Sequence, residues 1–230
     1  MILSDRVSFQ STQDSARRSP ARAVAGFSLV EFLVVITLIG LLMTYGFSTM
    51  QAARELSGES KCQDNLQQIG SSMLLFKDMR NKNRWPRESG MRFLLKLHQV
   101  GEVTGRASDI FICPGTQDFN DGGPSGDPGS SYEDWDALNS ADISYAGRDV
   151  DAFPLRGGKD ADFVIAADDN EFGNNHSKVI NVLYGDGSVQ PWNLFMDGSE
   201  ILSAYPEMKE GGIPVGPESP VELFQVLRVD

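Results

Sequence analysis

The chain predicts an α+β fold, a long N-terminal helix packed on a small antiparallel β-sheet head, and three observations carry that prediction. Residues 32–53 contain no charged side chain, and beyond them Cys62, Leu66, Ile69, Met73 and Phe76 recur at spacings of 4, 3, 4 and 3, the period of one helical face. After residue 142 the pattern changes to short apolar runs of strand length, separated by Gly, Pro, Asn and Asp. Between the last two strong runs stands Gly185-Asp186-Gly187-Ser188, whose Asp-Gly pair is a strong short-range hairpin signal.

Taken in order, residues 1–26 are rich in Ser, Arg and Gln, lack apolar periodicity and read as a leader that packs against nothing. Arg6, Arg17, Arg18 and Arg22 outnumber Asp5 and Asp14 there, so this flank is expected to stay cytoplasmic and the rest of the chain to lie outside. The 22 uncharged residues that follow would cover about 33 Å as a helix, close to a bilayer's hydrocarbon thickness. Residues 27–50 are therefore expected to be a transmembrane helix and residues 51–80 its amphipathic continuation. No small-residue cleavage site follows the apolar run, because Thr44-Tyr45-Gly46-Phe47 continues the helical pattern.

Residues 81–230 form the head. Pro86 pushes Trp85 out of the α region, and Asn81 and Asn83 favour a turn, so the helix ends by there. Residues 91–100 place Phe93, Leu94, Leu97 and Val100 on one face and predict a second helix stopped near Gly101. Residues 110–113 read as a short buried strand closed by Pro114-Gly115, and residues 116–142, rich in Gly, Pro and acids, as a long exposed loop. Strands are expected at 142–145, 163–167, 179–184, 189–192 and 221–229. The hairpin between the third and fourth is expected to be a type I′ turn with positive φ at both central residues.

The length of 230 residues, 40% of them hydrophobic, suffices for one globular core beside the long helix. The net charge is −12; the leader carries +2, so the chain without it carries −14. A body this acidic repels nucleic acid, which is excluded as a partner. Two cysteines in an exported chain permit one disulfide. Cys62 lies in phase with the buried helical stripe and Cys113 ends the expected strand, so both should point into the helix–head interface, either bridged or as free thiols.

Gly26-Phe27-Ser28-Leu29-Val30-Glu31 followed by an apolar run resembles the signal of type IV prepilins and type II secretion pseudopilins. The resemblance implies a pilin-like lollipop, with cleavage by a prepilin peptidase between Gly26 and Phe27 and N-methylation of Phe27. Glu31 would then be mature residue five. A carboxylate buried with no Lys or Arg before Arg54 needs a cation, so it is expected to be an assembly residue paired with a neighbour's Phe27 amine, the alternative being a snorkelling interfacial acid. The implied partners are other pilin or pseudopilin subunits, in a homo- or hetero-oligomeric filament, and an inner-membrane assembly platform. The implied place is the inner membrane, single-pass, with a periplasmic head. Many pilins carry a proline near mature position 22, where this chain has Ser48. Cys62-Gln63-Asp64-Asn65-Leu66-Gln67-Gln68-Ile69-Gly70, Phe111-Ile112-Cys113-Pro114, Ser144-Tyr145-Ala146-Gly147, and His176 with nine residues before Asp186-Gly187 are similar to the H-x9-DG group of pseudopilin-like proteins.

The function expected is a structural subunit of a type II secretion pseudopilus. The alternatives are a type IV pilus subunit for adhesion or motility, and an inner-membrane-anchored periplasmic enzyme or ligand-binding protein. No P-loop, Gly-x-Ser-x-Gly elbow or zinc-spaced Cys/His cluster stands in the sequence. His176 and Asp186 would sit at opposite ends of a strand, up to about 30 Å apart, beyond proton-relay reach. His176, Asp186 and Gly187 are therefore read as structural and no enzyme is expected. No cofactor is expected either, with calcium as the alternative, because some major pseudopilins hold calcium in an acidic loop. Asp168, Asp169, Asn170 and Glu171 are the calcium candidates, set against a plainly solvated loop; Phe172 stands where an EF-hand spacing needs a ligand.

Overall fold

A computed structural model describes residues 28–116, 118, 120, 126–156, 160–169 and 175–230, apart from the side chains of 44–49, 51, 52 and 210. The first helix, α1, runs over Leu29–Leu75. Ser28 caps its start: Val30 N donates to Ser28 Oγ (3.4 Å), and Ser28 N donates to Glu31 Oε2 (2.9 Å). The chain divides into two units, one up to Phe47 and one from Ser48 to Asp230.

In the first unit, every large apolar side chain of residues 29–43 is exposed, between 44% and 79%. Among the described residues, no helix is long and apolar enough to cross a membrane. The stretch with described side chains, 29–43, measures about 22 Å as a helix. The expected span also used residues 44–49, 51 and 52, whose side chains lie outside the described residues. The leader, with Gly26 and Phe27, lies outside them as well.

In the second unit the stripe of α1 is buried as its spacing requires: Cys62, Leu66, Ile69 and Met73 are fully covered and Phe76 is 5% exposed. Phe76 opens a π-helical turn, Phe76–Arg80, after which Lys82 and Asn83 take positive φ and the chain reverses. Lys77 is held inside that turn by an ion pair with Asp160 and lies 4.8 Å from the centre of the Trp85 ring. Helix α2 (Met91–Gln99) buries Phe93, Leu94 and Leu97.

Five strands, β1 (Tyr145–Arg148), β2 (Val164–Asp168), β3 (Val179–Tyr184), β4 (Val189–Asn193) and β5 (Leu227–Arg228), form one antiparallel sheet ordered β4-β3-β2-β1-β5. Tyr145, Ile165 and Leu183 belong to the core shared with Leu66, Ile69 and α2. Ala146, Ile180 and Val182 belong to a second core with Leu194, Phe224 and Leu202 of α3 (Ser199–Ala204). A last short helix, α4 (Met208–Gly211), precedes the C-terminal segment. Because both faces are covered, β1 and β2 are buried throughout, without the alternation of a half-wet sheet.

Strand β4 is an edge. Tyr184 N bonds Ser188 O and Leu194 N bonds Lys178 O, which fixes the alternating pattern and turns residues 189, 191 and 193 outward. Pro191 has no N–H to present there, and the N–H of Asn193 donates to Asp197 Oδ2 (2.8 Å).

Several expectations need correction. Residues 110–113 are not a strand: Gly105–Phe111 is a 3-10 helix, continued by the bond from Ile112 N to Asp109 O. It buries Phe111 and Cys113 equally well, because a four-residue apolar run fits either conformation. Residues 142–145 give way to a capped 3-10 turn, Ser140–Asp142, and β1 starts only at Tyr145. The expected strand 221–229 contracts to β5, since Phe224 N bonds Val221 O and Leu227 N bonds Phe224 O in successive turns. The stretch 116–142 is not wholly an exposed loop. It contains the 3-10 helix Pro128–Tyr132, whose Tyr132 is 2% exposed and donates its hydroxyl to Asp142 O.

Candidate functional site

Four side chains from separate parts of the second unit converge under the sheet. Cys62 comes from the buried face of α1, Cys113 follows the 3-10 helix by two residues, Asp168 ends β2, and His176 precedes β3. Their ligand atoms all lie within 4.8 Å of one another. Cys62, Cys113 and Asp168 are fully buried and His176 is 2% exposed.

Local structure aims each group. Cys62 Sγ donates to Asp168 Oδ1 (3.0 Å) and lies 3.3 Å from Tyr145 Oη. The other carboxylate oxygen, Oδ2, accepts from Asn181 N (2.7 Å) and Asn181 Nδ2 (3.0 Å), and Gln63 Nε2 in turn donates to Asn181 Oδ1. Cys113 Sγ stands 3.3 Å from His176 Nε2 and accepts from Gly115 N (3.4 Å). Gly115 also makes room for the ring: a Cβ there would sit 2.6 Å from His176 Cε1. The neighbouring Ser177 N donates to Glu55 Oε1 on α1, which ties the histidine's segment to the helix.

The electrostatics follow from burial and contact. A hydrogen bond with Cys62, opposed by burial and helped by His176, draws the Cys113 thiol down to about 7. Burial, with the neighbouring Cys113 and Asp168, pushes Cys62 well up. Burial also raises Asp168, against the pull of His176 and Asn181. Burial works to lower His176, but its contacts with Cys113 and Asp168 outweigh that and raise it. The cluster thus combines two sulfurs, one imidazole nitrogen and one carboxylate oxygen, a donor set for soft or borderline metal ions.

Calcium does not fit this set, because it takes six to eight oxygens and two of the four donors here are sulfur. Of the four calcium candidates, Asp168 faces the thiol, Asp169 is 3% exposed beside Asn175 (3.4 Å), and Asn170 and Glu171 lie outside the described residues. The two cysteines are free thiols, both buried.

His176 and Asp186 are not brought together: β3 separates them by about 20 Å of extended chain. Asp186 is exposed and its Oδ1 accepts from Ser188 N and Ser188 Oγ. Only Gly187 of the two turn residues has positive φ (+83°), so the hairpin is not type I′. It is a three-residue loop closed by a left-handed glycine. Gly187 presses on α1 at Gly70, where a Cβ would meet Leu183 Cδ1 at 2.7 Å and Gly187 Cα at 3.2 Å. Glu31 sits in the first turn of α1, exposed, as the partner of Ser28 N.

Sequence reasoning singled out all four members of the cluster but gave them three unrelated roles. The signal it lacked was tertiary: Cys62 and Asp168 are 106 positions apart, so no spacing rule joins them.

The family model of the prokaryotic N-terminal methylation motif matches residues 21–47. No curated protein and no solved structure matches the chain.

Proposed function

We propose that this chain is a structural pilin-like subunit of a type II secretion pseudopilus, cut by a prepilin peptidase between Gly26 and Phe27 and methylated on the new Phe27 amine. The match of the methylation motif to residues 21–47 carries this reading. It is supported by the apolar side chains of 29–43, exposed on every side of their helix. Such a surface needs lipid or like helices around it, so the subunit is stored in the inner membrane and then packed in a filament core. Its head faces the periplasm.

Glu31 is the assembly residue in this reading. A carboxylate in a lipid or helix environment must neutralise or find a cation. No Lys or Arg follows it before Arg54, so its partner is a neighbour's Phe27 amine, which cleavage creates. The head is read as non-catalytic, a reading supported by the burial of Cys113 and His176.

Mass spectrometry of the protein from its native host tests the processing. A mature chain beginning at methylated Phe27 is expected; an intact Met1 terminus, or cleavage beyond Met43, overturns the reading. Glu31→Leu should leave cleavage intact and sharply reduce incorporation into filaments. Deletion of the gene should block protein secretion, and loss of surface motility with secretion intact would assign the subunit to a type IV pilus instead.

A further inference from the structure

The cluster of Cys62, Cys113, Asp168 and His176 has a geometry that its position in a filament subunit does not explain. In a tetrahedral zinc site, bonds of about 2.0–2.3 Å place the donor atoms about 3.3–3.8 Å apart. Here Cys113 Sγ and His176 Nε2 are 3.3 Å apart, Cys62 Sγ and Asp168 Oδ1 are 3.0 Å apart, and all four atoms fall within 4.8 Å. Small outward rotations of the side chains bring them to the tetrahedron.

We propose that these four side chains hold one zinc ion in a closed, structural site. Two thiolates and an imidazole select zinc over the hard ions calcium and magnesium, and the carboxylate completes four-coordination with no position left open for substrate or water. On binding, zinc replaces the thiol protons of Cys62 and Cys113, which pass to solvent, and takes His176 neutral through Nε2. The site then carries two thiolates, one carboxylate and a dication, a net charge of −1.

The groups around the donors fit that charge. Asn181 holds Asp168 Oδ2 with two hydrogen bonds, leaving Oδ1 for the metal. Gly115 N donates to Cys113 Sγ, and Tyr145 Oη is in reach of Cys62 Sγ, so each thiolate has a donor. Such outer partners orient ligands and spread their charge. Asp168 is a fully buried carboxylate whose hydrogen bonds, among the described residues, come from Cys62 and Asn181, with His176 as the neighbouring group able to carry positive charge. A buried carboxylate so placed is costly. The ion places a fixed dication beside that carboxylate and cross-links α1, the segment after the 3-10 helix, β2 and the approach to β3.

The inference is independent of filament assembly and is tested on the full chain, purified in detergent with a reductant, stripped with a chelator and reloaded with zinc or cobalt(II). Elemental analysis should find about one zinc per chain, retained through dialysis against calcium. Cobalt should give the intense visible bands and sulfur-to-metal charge transfer of a tetrahedral thiolate site. Cys113→Ser and His176→Gln should each lower zinc retention at least tenfold. If those variants do not fold, the wild-type cobalt spectrum decides alone. A wild-type chain that binds no cobalt, or binds it without sulfur charge transfer, overturns the proposal. So does zinc retained equally by folded variants, or a Cys62–Cys113 disulfide in metal-free protein from the native host.

Discussion

At the His176 end of β3, contact with α1 is made by buried polar side chains around Cys62; at the Asp186-Gly187 end, eight helical residues further on, it is made by Leu183 and the Gly187 backbone against Gly70. Both contacts fix the sheet to the same helix, about 12 Å apart along its axis. They constrain substitution differently. The first rests on particular donor atoms, whereas the second rests on close approach, with no room for a Cβ at Gly70. A ten-residue step in the sequence therefore joins two anchors of unlike physical origin.

That contrast breaks most sharply on metal removal. If zinc holds the His176 end, chelation of the full chain should cost about 3 kcal/mol or more, because a ligand present at a thousand times its dissociation constant stabilises by about 4 kcal/mol. Thermal melts with and without chelator read the loss, and unchanged melts would place both anchors on the same non-metal footing. Gly70→Val should come next, at about 2–3 kcal/mol, since its branched side chain has to displace Leu183 and the Gly187 backbone. Zinc uptake by that variant should be unchanged, so uptake and stability separate the two ends.

Gly187→Ala should cost about 1 kcal/mol by forcing a side chain into positive φ, measured by denaturant unfolding. The smallest effect belongs to Asp186. Hydrogen bonds from the Ser188 side chain and backbone hold its carboxyl below the ordinary range. A depressed value contributes stability that is present above the unfolded carboxylate pKa and fades as pH falls through the folded one. Because the group is exposed, solvent screening leaves this at a few tenths of a kcal/mol. Asp186→Asn should flatten that part of the pH–stability curve and leave the rest unchanged.

What the sequence made legible was whatever a local period encodes. The stripe from Cys62 to Phe76 is buried residue for residue, and β3 spans Val179–Tyr184 as its apolar run indicated. The turn at Asp186-Gly187 was legible in place but not in type, because Asp-Gly suits two loop lengths and only the strand register chooses between them. The strand expected at 110–113 failed because side chains of so short a run reach the core from a 3-10 turn as readily. The cluster's members were each legible but their meeting was not: they lie on four separate segments that only the tertiary fold brings together.

The free edge at β4 sets how copies of this head can meet. A strand offered to that edge finds no donor at Pro191, and the donor at Asn193 is already taken by Asp197. Among the described residues Val189 keeps the one outward N–H of β4, so a strand added there lacks the donors at 191 and 193 and pairs weakly. High local concentration of such heads therefore carries less risk of amyloid-like growth from this side of the sheet.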